Sequence, residues 1–210
     1  MIGDAKISSK TTTVGLIAGD YVVLAADKRA TAGFLVAHKR VKKIQKIDDH
    51  AAMTISGLVA DAQYLVEQAR YISRKYLLEV GRPIKISSLA SNLSVILNVY
   101  LRTMPYVVQL LLGGYDSSGP HLFYLDLFGS LSEEKYMATG SGSPVAFGVL
   151  ESGYREDISL EEAVELAKKA VKAATMRDGF SGEGIDVVII GPGVYREETV
   201  LFEKKLVKKV

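Results

Sequence analysis

The 210-residue chain is 48% apolar and 24% charged, enough to bury a sizeable core, and a single domain is expected at this length. A formal net charge of +2 offers no electrostatic footprint for nucleic acid, and the lack of cysteine excludes disulfides, thiolate metal sites and a cysteine nucleophile. Residues 1–10, MIGDAKISSK, have no apolar core of a signal peptide, and no apolar run approaches membrane-spanning length, so the chain reads as soluble and cytoplasmic, without a membrane partner.

In chain order, TTTVGLIA (11–18) and YVVLAAD (21–27) are β-rich runs separated by Gly19-Asp20, the signature of a two-residue hairpin turn. Strands are predicted through HKRVKKIQKI (38–47) and AAMTISG (51–57). A helix follows over 60–80, where Ala62, Leu65, Ala69, Ile72 and Tyr76 share one face. A second is expected over 87–104, with Ser87 and Ser88 as caps and Pro105 as the stop. Strands resume in VVQLLLGGYD, HLFYLDLFG and YMATG. Ser143-Pro144 reads as an N-cap followed by proline at the first helical position, and Ser159-Leu-Glu-Glu162 as a capping box opening a helix to about Arg177. IDVVIIGPG is a late buried strand. Hairpin-linked strands with helices in paired blocks favour an α+β arrangement of antiparallel sheets with helical layers outside.

Several familiar sites fall away. His38, His50 and His121 form no metal-spacing pair, and GSGSP lacks both the Gly-Lys-Ser/Thr ending of a phosphate loop and the Gly-x-Ser-x-Gly elbow. The lysines of HKRVKKIQK fit a solvated strand edge better than a nucleic-acid surface.

Thr11 is the remaining candidate. A threonine at a free N-terminus carries its own base, the α-amine, and needs an ammonium to lower the hydroxyl pKa, a carboxylate to anchor that ammonium and an N–H for the oxyanion. With Gly19-Asp20 as the turn, Thr12 lies opposite Asp27 and Thr11 opposite Lys28, which returns Asp27 to the neighbourhood of Thr11. Ideal pairing sets the Thr11 and Asp27 side chains on opposite faces, so direct contact requires a bulge or twist.

TTTVG, AADKRAT, VKKIQKID, MTISGLVADAQ, YVVQLLLGGYD, ATGSGSP and MRDGFSGEGIDVVII, in that order and spanning Thr11 to about residue 195, resemble a β-type subunit of the archaeal proteasome core particle. The resemblance implies the N-terminal nucleophile hydrolase fold, a four-layer αββα sandwich of two antiparallel sheets flanked by helices. It implies that Thr11 is the nucleophile, Asp27 its acidic partner and Lys43 the lysine that tunes it, with Arg29 a basic residue of the same motif. Gly57 matches the oxyanion glycine, while Ser141, Asp178 and Ser181 match the set that positions the terminal amine and a water. Thr31 would bind an extended substrate through its backbone, and Ala30, Val41, Ile55 and Val59 fall at the primary specificity pocket, suggesting cleavage after hydrophobic residues. Implied partners are α subunits, other β subunits in a heptameric ring, an ATP-dependent unfoldase and unfolded polypeptide; no cofactor is implied.

One departure stands out. Active members of the family usually carry glycine immediately before the catalytic threonine, whereas here the cleavage site is Lys10–Thr11. Residues 1–10 then form a propeptide-like segment ahead of a domain over 11–210. Three outcomes follow: self-processing, trimming by a neighbouring active β subunit or another protease, and an unprocessed, silent structural subunit. A standalone amidase of the same chemistry is the further alternative.

Overall fold

The computed structural model describes residues 11–202; Lys10, the rest of the segment 1–10 and residues 203–210 lie outside the described residues. The first hairpin forms where the glycine turn demands it. Gly19 takes φ 55, and β1 (Thr13–Ala18) pairs with β2 (Tyr21–Asp27) from Ala18↔Tyr21 to Thr13↔Ala26. Apolar residues fill both faces of this hairpin, as a central pair requires.

Chain order then runs through β3 (Ala30–Ala32), β4 (Leu35–His38), β5 (Ile44–Asp48), β6 (Ala51–Gly57), α1 (Val59–Val80), α2 (Ile86–Tyr100), β7 (Val108–Asp116) and β8 (Gly119–Leu125). It ends with β9 (Leu131–Glu133), β10 (Tyr136–Thr139), α3 (Ser143–Gly153), α4 (Leu160–Thr175), β11 (Gly184–Gly191) and β12 (Val194–Leu201). Two five-stranded antiparallel sheets result, ordered β10-β1-β2-β11-β12 and β5-β6-β7-β8-β9, with β3-β4 a separate hairpin.

Three apolar clusters define the layers. Val14, Leu16 and Ile185 pack the outer face of the first sheet against α3 and α4, through Leu150, Ala167 and Val171. Met53, Leu110 and Leu112 pack the outer face of the second against α1 and α2, through Leu65, Leu89 and Leu93. Leu24, Leu111, Leu122 and Val188 fill the space between the sheets. This is the αββα sandwich, and burial by alternate faces of each strand is its physical origin.

The differences from the sequence reading are local. The strand expected over 38–47 is two strands, β4 ending at His38 and β5 beginning at Ile44, with irregular chain between them. The second helix begins at Ile86, with Lys85 as an N-cap lacking a side-chain bond; Asp116 Oδ2 accepts from Ile86 N–H instead, so neither Ser87 nor Ser88 caps it. It ends at Tyr100 and not at Pro105. Gly142, not Ser143, is the N-cap of α3. The capping box of Ser159 and Glu162 forms as read. Strand β12, at a sheet edge and mostly exposed, has no clean alternation to announce it.

Candidate active site

The site gathers where β1, β2 and β10 end and where the chain between β4 and β5 crosses. Thr12 O still accepts from Asp27 N–H at 3.1 Å, so the hairpin register persists to that pair. Thr11 then leaves the ladder, its O accepting from Gly142 N–H at 3.3 Å, and its side chain turns to the Asp27 face. Thr11 Oγ1 donates to Asp27 Oδ1 at 2.8 Å. The contact that ideal pairing forbade is made by ending the strand at Thr13.

Asp27 is fully buried and heavily paired. Its Oδ1 accepts from Thr11 Oγ1, Thr12 N–H (3.0 Å) and Lys43 Nζ (2.7 Å); its Oδ2 accepts from Arg29 N–H (2.9 Å) and Gly182 N–H (2.9 Å).

Lys43 precedes β5, and its carbonyl is tied down by Ile55 N–H at 2.9 Å. Its Nζ lies 2.5 Å from Thr11 Oγ1. Burial pushes the Lys43 ammonium below its ordinary pKa, more than Asp27 and Asp178 raise it, with Arg29 adding a smaller repulsion. Lys43 is 5% exposed, while Lys39 and Lys42 are exposed and Lys46 and Lys42 form surface pairs with Asp49 and Glu197. Only tertiary placement separates Lys43 from its neighbours.

A second network meets the Thr11 nitrogen. Ser141 Oγ accepts from it at 3.2 Å and donates to Asp178 Oδ2 at 2.8 Å. Ser181 Oγ also donates to Asp178 Oδ2, at 2.6 Å. Each hydroxyl has one proton, so Thr12 Oγ1, 2.7 Å from Ser181 Oγ, is the donor of that pair. Thr12 was not read from the sequence. Its signal is Gly142, where a Cβ would stand 2.0 Å from Thr12 Oγ1.

Arg29 acts as a clasp: one guanidinium nitrogen donates to Gly179 O at 2.9 Å and another to Glu183 at 3.2 Å, holding the loop that carries Ser181 and Gly182. Gly57 closes β6 at φ 117, where a Cβ would lie 2.1 Å from Val107 O, so no other residue fits.

Val41, Ile55 and Val59 together line a cavity of about 370 Å³. Gln45, Gln63, Glu67 and Arg70 share its wall, so the cavity is not wholly apolar. Ala30 is not among its lining residues; it begins β3 opposite His38. Thr31 pairs with Val36, and its Oγ1 is buried without a hydrogen-bond partner. A larger cavity of about 950 Å³, beside α4 and Phe202, shares none of these residues.

A hydroxyl between a carboxylate and a lysine of depressed pKa, on a residue whose nitrogen meets a Ser–Asp–Ser network, can act as an oxygen nucleophile. The described residues contain no group of three histidine, aspartate or glutamate side chains placed for a metal, and no helix long and apolar enough to cross a membrane.

Comparison with known proteins agrees in kind. Residues 7–190 match the family described as Proteasome subunit. The chain is 76% identical over 204 residues to Proteasome subunit beta 2 of Staphylothermus marinus, covering 97% of this chain and 98% of that one. It is 69% identical to the subunit of the same name in Desulfurococcus amylolyticus, over 94% of this chain and 96% of that one. Proteasome subunit beta 1 of Pyrobaculum aerophilum is 54% identical, over 86% of this chain and 89% of that one.

Proposed function

The chain belongs to the proteasome subunit family, as a β-type subunit of the archaeal core particle, and from that premise we propose that it is a threonine endopeptidase once the Lys10–Thr11 bond is cut. It assembles with other proteasome subunits. The observation that carries the catalytic reading is the placement of Thr11 Oγ1, 2.8 Å from Asp27 Oδ1 and 2.5 Å from Lys43 Nζ.

In this reading Thr11 Oγ1 attacks the scissile carbonyl and its proton passes to the Thr11 amine, directly or through a water beside Ser141. Lys43 offsets the charge that builds on the hydroxyl oxygen, and the Gly57 N–H receives the carbonyl oxygen as it becomes an oxyanion. The departing amine takes the proton, leaving an ester on Thr11 that water hydrolyses. Asp178, with Ser181 and Thr12 behind it, holds Ser141 in place. Backbone groups at Thr31 would pair with an extended substrate as an added strand. The cavity at Val41, Ile55 and Val59 supports hydrophobic side chains there, with the Glu67–Arg70 end supporting longer ones with a polar tip. The chemistry asks for no cofactor.

The partners in this proposal are α subunits flanking a heptameric β ring, an ATP-driven unfoldase and unfolded polypeptide, working in the cytoplasm. Domain 11–210 would be the mature chain. While residues 1–10 stay attached, the Thr11 nitrogen is an amide and has no basic lone pair, so processing decides activity. Lys10 disfavours the tight backbone approach that glycine permits, and that observation keeps the silent structural subunit as the second reading.

Intact mass of the chain, alone and after co-assembly with its α and candidate β partners, tests this. A chain starting at Thr11 in the particle, with peptide hydrolysis lost in Thr11→Ala, is the expected result. Retention of residues 1–10 in the assembled particle would overturn the protease reading and leave the structural one. A Lys10→Gly variant is expected to process faster. A native mass of the chain alone, with amidase activity and no particle, would point instead to a standalone amidase.

A further inference from the structure

The core between the two sheets has unlike ends. Over most of its length the facing side chains are apolar, among them Val22, Leu24, Leu111 and Val188. At the end beneath Thr11 they are polar: Thr13 of β1, Thr139 of β10 and Thr54 of β6 are 0%, 1% and 0% exposed. Thr13 Oγ1 lies 3.1 Å from Thr54 Oγ1 and 2.7 Å from Thr139 Oγ1, and Leu111 N–H donates to Thr54 Oγ1 at 3.2 Å. Beside them Gln109 of β7 accepts from Gly140 N–H through Oε1 at 3.2 Å, and its Nε2 donates to the Tyr124 hydroxyl at 3.4 Å.

Valine and leucine could fill this volume without desolvating three hydroxyls and an amide, so packing alone gives no reason for the polar set. Its geometry does. Thr139 ends β10 and Gly140 follows it, leading directly into Ser141. Gly140 is thus held by a hydrogen bond from the sheet that supplies neither Thr11 nor Ser141, and Thr139 is reached from that sheet only through Thr13, which lies between it and Thr54. The turn has no slack, because at Gly140 (φ 93) a Cβ would stand 2.0 Å from Thr11 O. Directional bonds fix such a turn more narrowly than apolar contact does.

We propose that Gln109, supported by Thr54 acting through Thr13 and Thr139, is a positioning residue for this site: it holds the Gly140–Ser141 turn against Thr11, keeping Ser141 Oγ within reach of the Thr11 nitrogen. The proposal rests on the reading of Thr11 as the nucleophile. Among the described residues Ser141 is the single hydroxyl joining the Thr11 nitrogen to Asp178, so a shift of the turn weakens both contacts together.

The test compares Gln109→Leu, Gln109→Glu and Thr54→Val in particles assembled with the partner subunits, with Thr11→Ala setting the hydrolysis that owes nothing to this chain. Glutamate keeps an acceptor facing Gly140 N–H; leucine keeps the volume and removes the acceptor. For a fluorogenic peptide, kcat is expected to fall roughly tenfold or more in Gln109→Leu with KM unchanged, less in Thr54→Val, and to recover largely in Gln109→Glu. Unfolding temperatures of the three should stay within a few degrees of the parent. Parent-like kcat in Gln109→Leu, or Gln109→Glu as slow as Gln109→Leu, overturns the proposal. If the parent hydrolyses nothing above the Thr11→Ala baseline, the catalytic reading fails, and crystal structures judge the positioning claim separately. A displaced Ser141 Oγ in Gln109→Leu upholds it, and an unmoved one overturns it.

Discussion

Two buried lysine–aspartate pairs sit side by side where β2 ends, made from neighbouring residues. Asp27 pairs with Lys43, and Lys28 with Asp186. In the second pair Lys28 Nζ contacts both oxygens of Asp186, at 2.6 and 2.5 Å, and Thr199 Oγ1 donates to Asp186 Oδ1 at 2.7 Å. These side-chain contacts tie the residue that follows β2 to β11 and β12. In the first pair Lys43 divides its Nζ between Asp27 and the Thr11 hydroxyl, and Asp27 has four donors besides lysine. The same ion pair is thus structural in one place and aimed at a hydroxyl in the other. What differs is that the Lys43 ammonium bonds the Thr11 hydroxyl itself, whereas the Thr199 hydroxyl bonds the carboxylate of Asp186.

The comparison can be broken by exchanging the consequences of losing each lysine. Lys43→Met is expected to lower hydrolysis above the Thr11→Ala baseline by roughly 10³-fold in particles that still assemble. Lys28→Met should leave activity per folded particle near the parent but destabilise the chain by about 3–5 kcal/mol, since Asp186 is left buried with a hydroxyl in place of a cation. Denaturant unfolding should show a smaller loss for Lys43→Met, because Asp27 keeps four donors. The reverse order of stabilities would refute the division of roles.

A pH series sharpens it. Burial lowers the folded-state pKa of Lys43 below the ordinary 10.5. Between that lowered value and 10.5 the unfolded chain binds more protons, so the contribution of Lys43 to stability rises with pH and is lost as pH falls through the folded-state value. The hydrolysis rate of the processed particle should likewise show a basic limb below 10.5, absent in Lys43→Arg, whose guanidinium does not deprotonate. The smallest effect is expected from Thr199→Val, which removes one hydrogen bond to Asp186 and should cost about 1 kcal/mol with no change in activity. An activity loss there would join the two pairs into one network.

Much of the fold was legible because its elements are locally specified. The glycine turn at 19–20 set the β1–β2 register, the capping box at Ser159 set the start of α4, and the helical face of 60–80 placed α1. The start of α2 slipped because a distant group satisfies the backbone there, Asp116 accepting from Ile86 N–H. The candidate site was legible as a set of motifs, but its contacts were not. Spacing brought Asp27 near Thr11 and stopped there, and nothing in the alternation of HKRVKKIQKI distinguishes Lys43 from Lys42.

The sequence by itself determined the layers, the absence of cysteine chemistry, the hairpin that carries Thr11 and Asp27, and the glycines that let chain segments approach. Tertiary structure alone decided which lysine is buried, which face Thr11 presents, and how Gln109 meets Gly140 and Thr54 meets Thr13 from the other sheet. The reason is range. Turns, caps and apolar periodicity act over a few residues, whereas the contacts of Asp27 with Gly182 and of Thr11 with Ser141 span 155 and 130 residues and exist only once both sheets have packed.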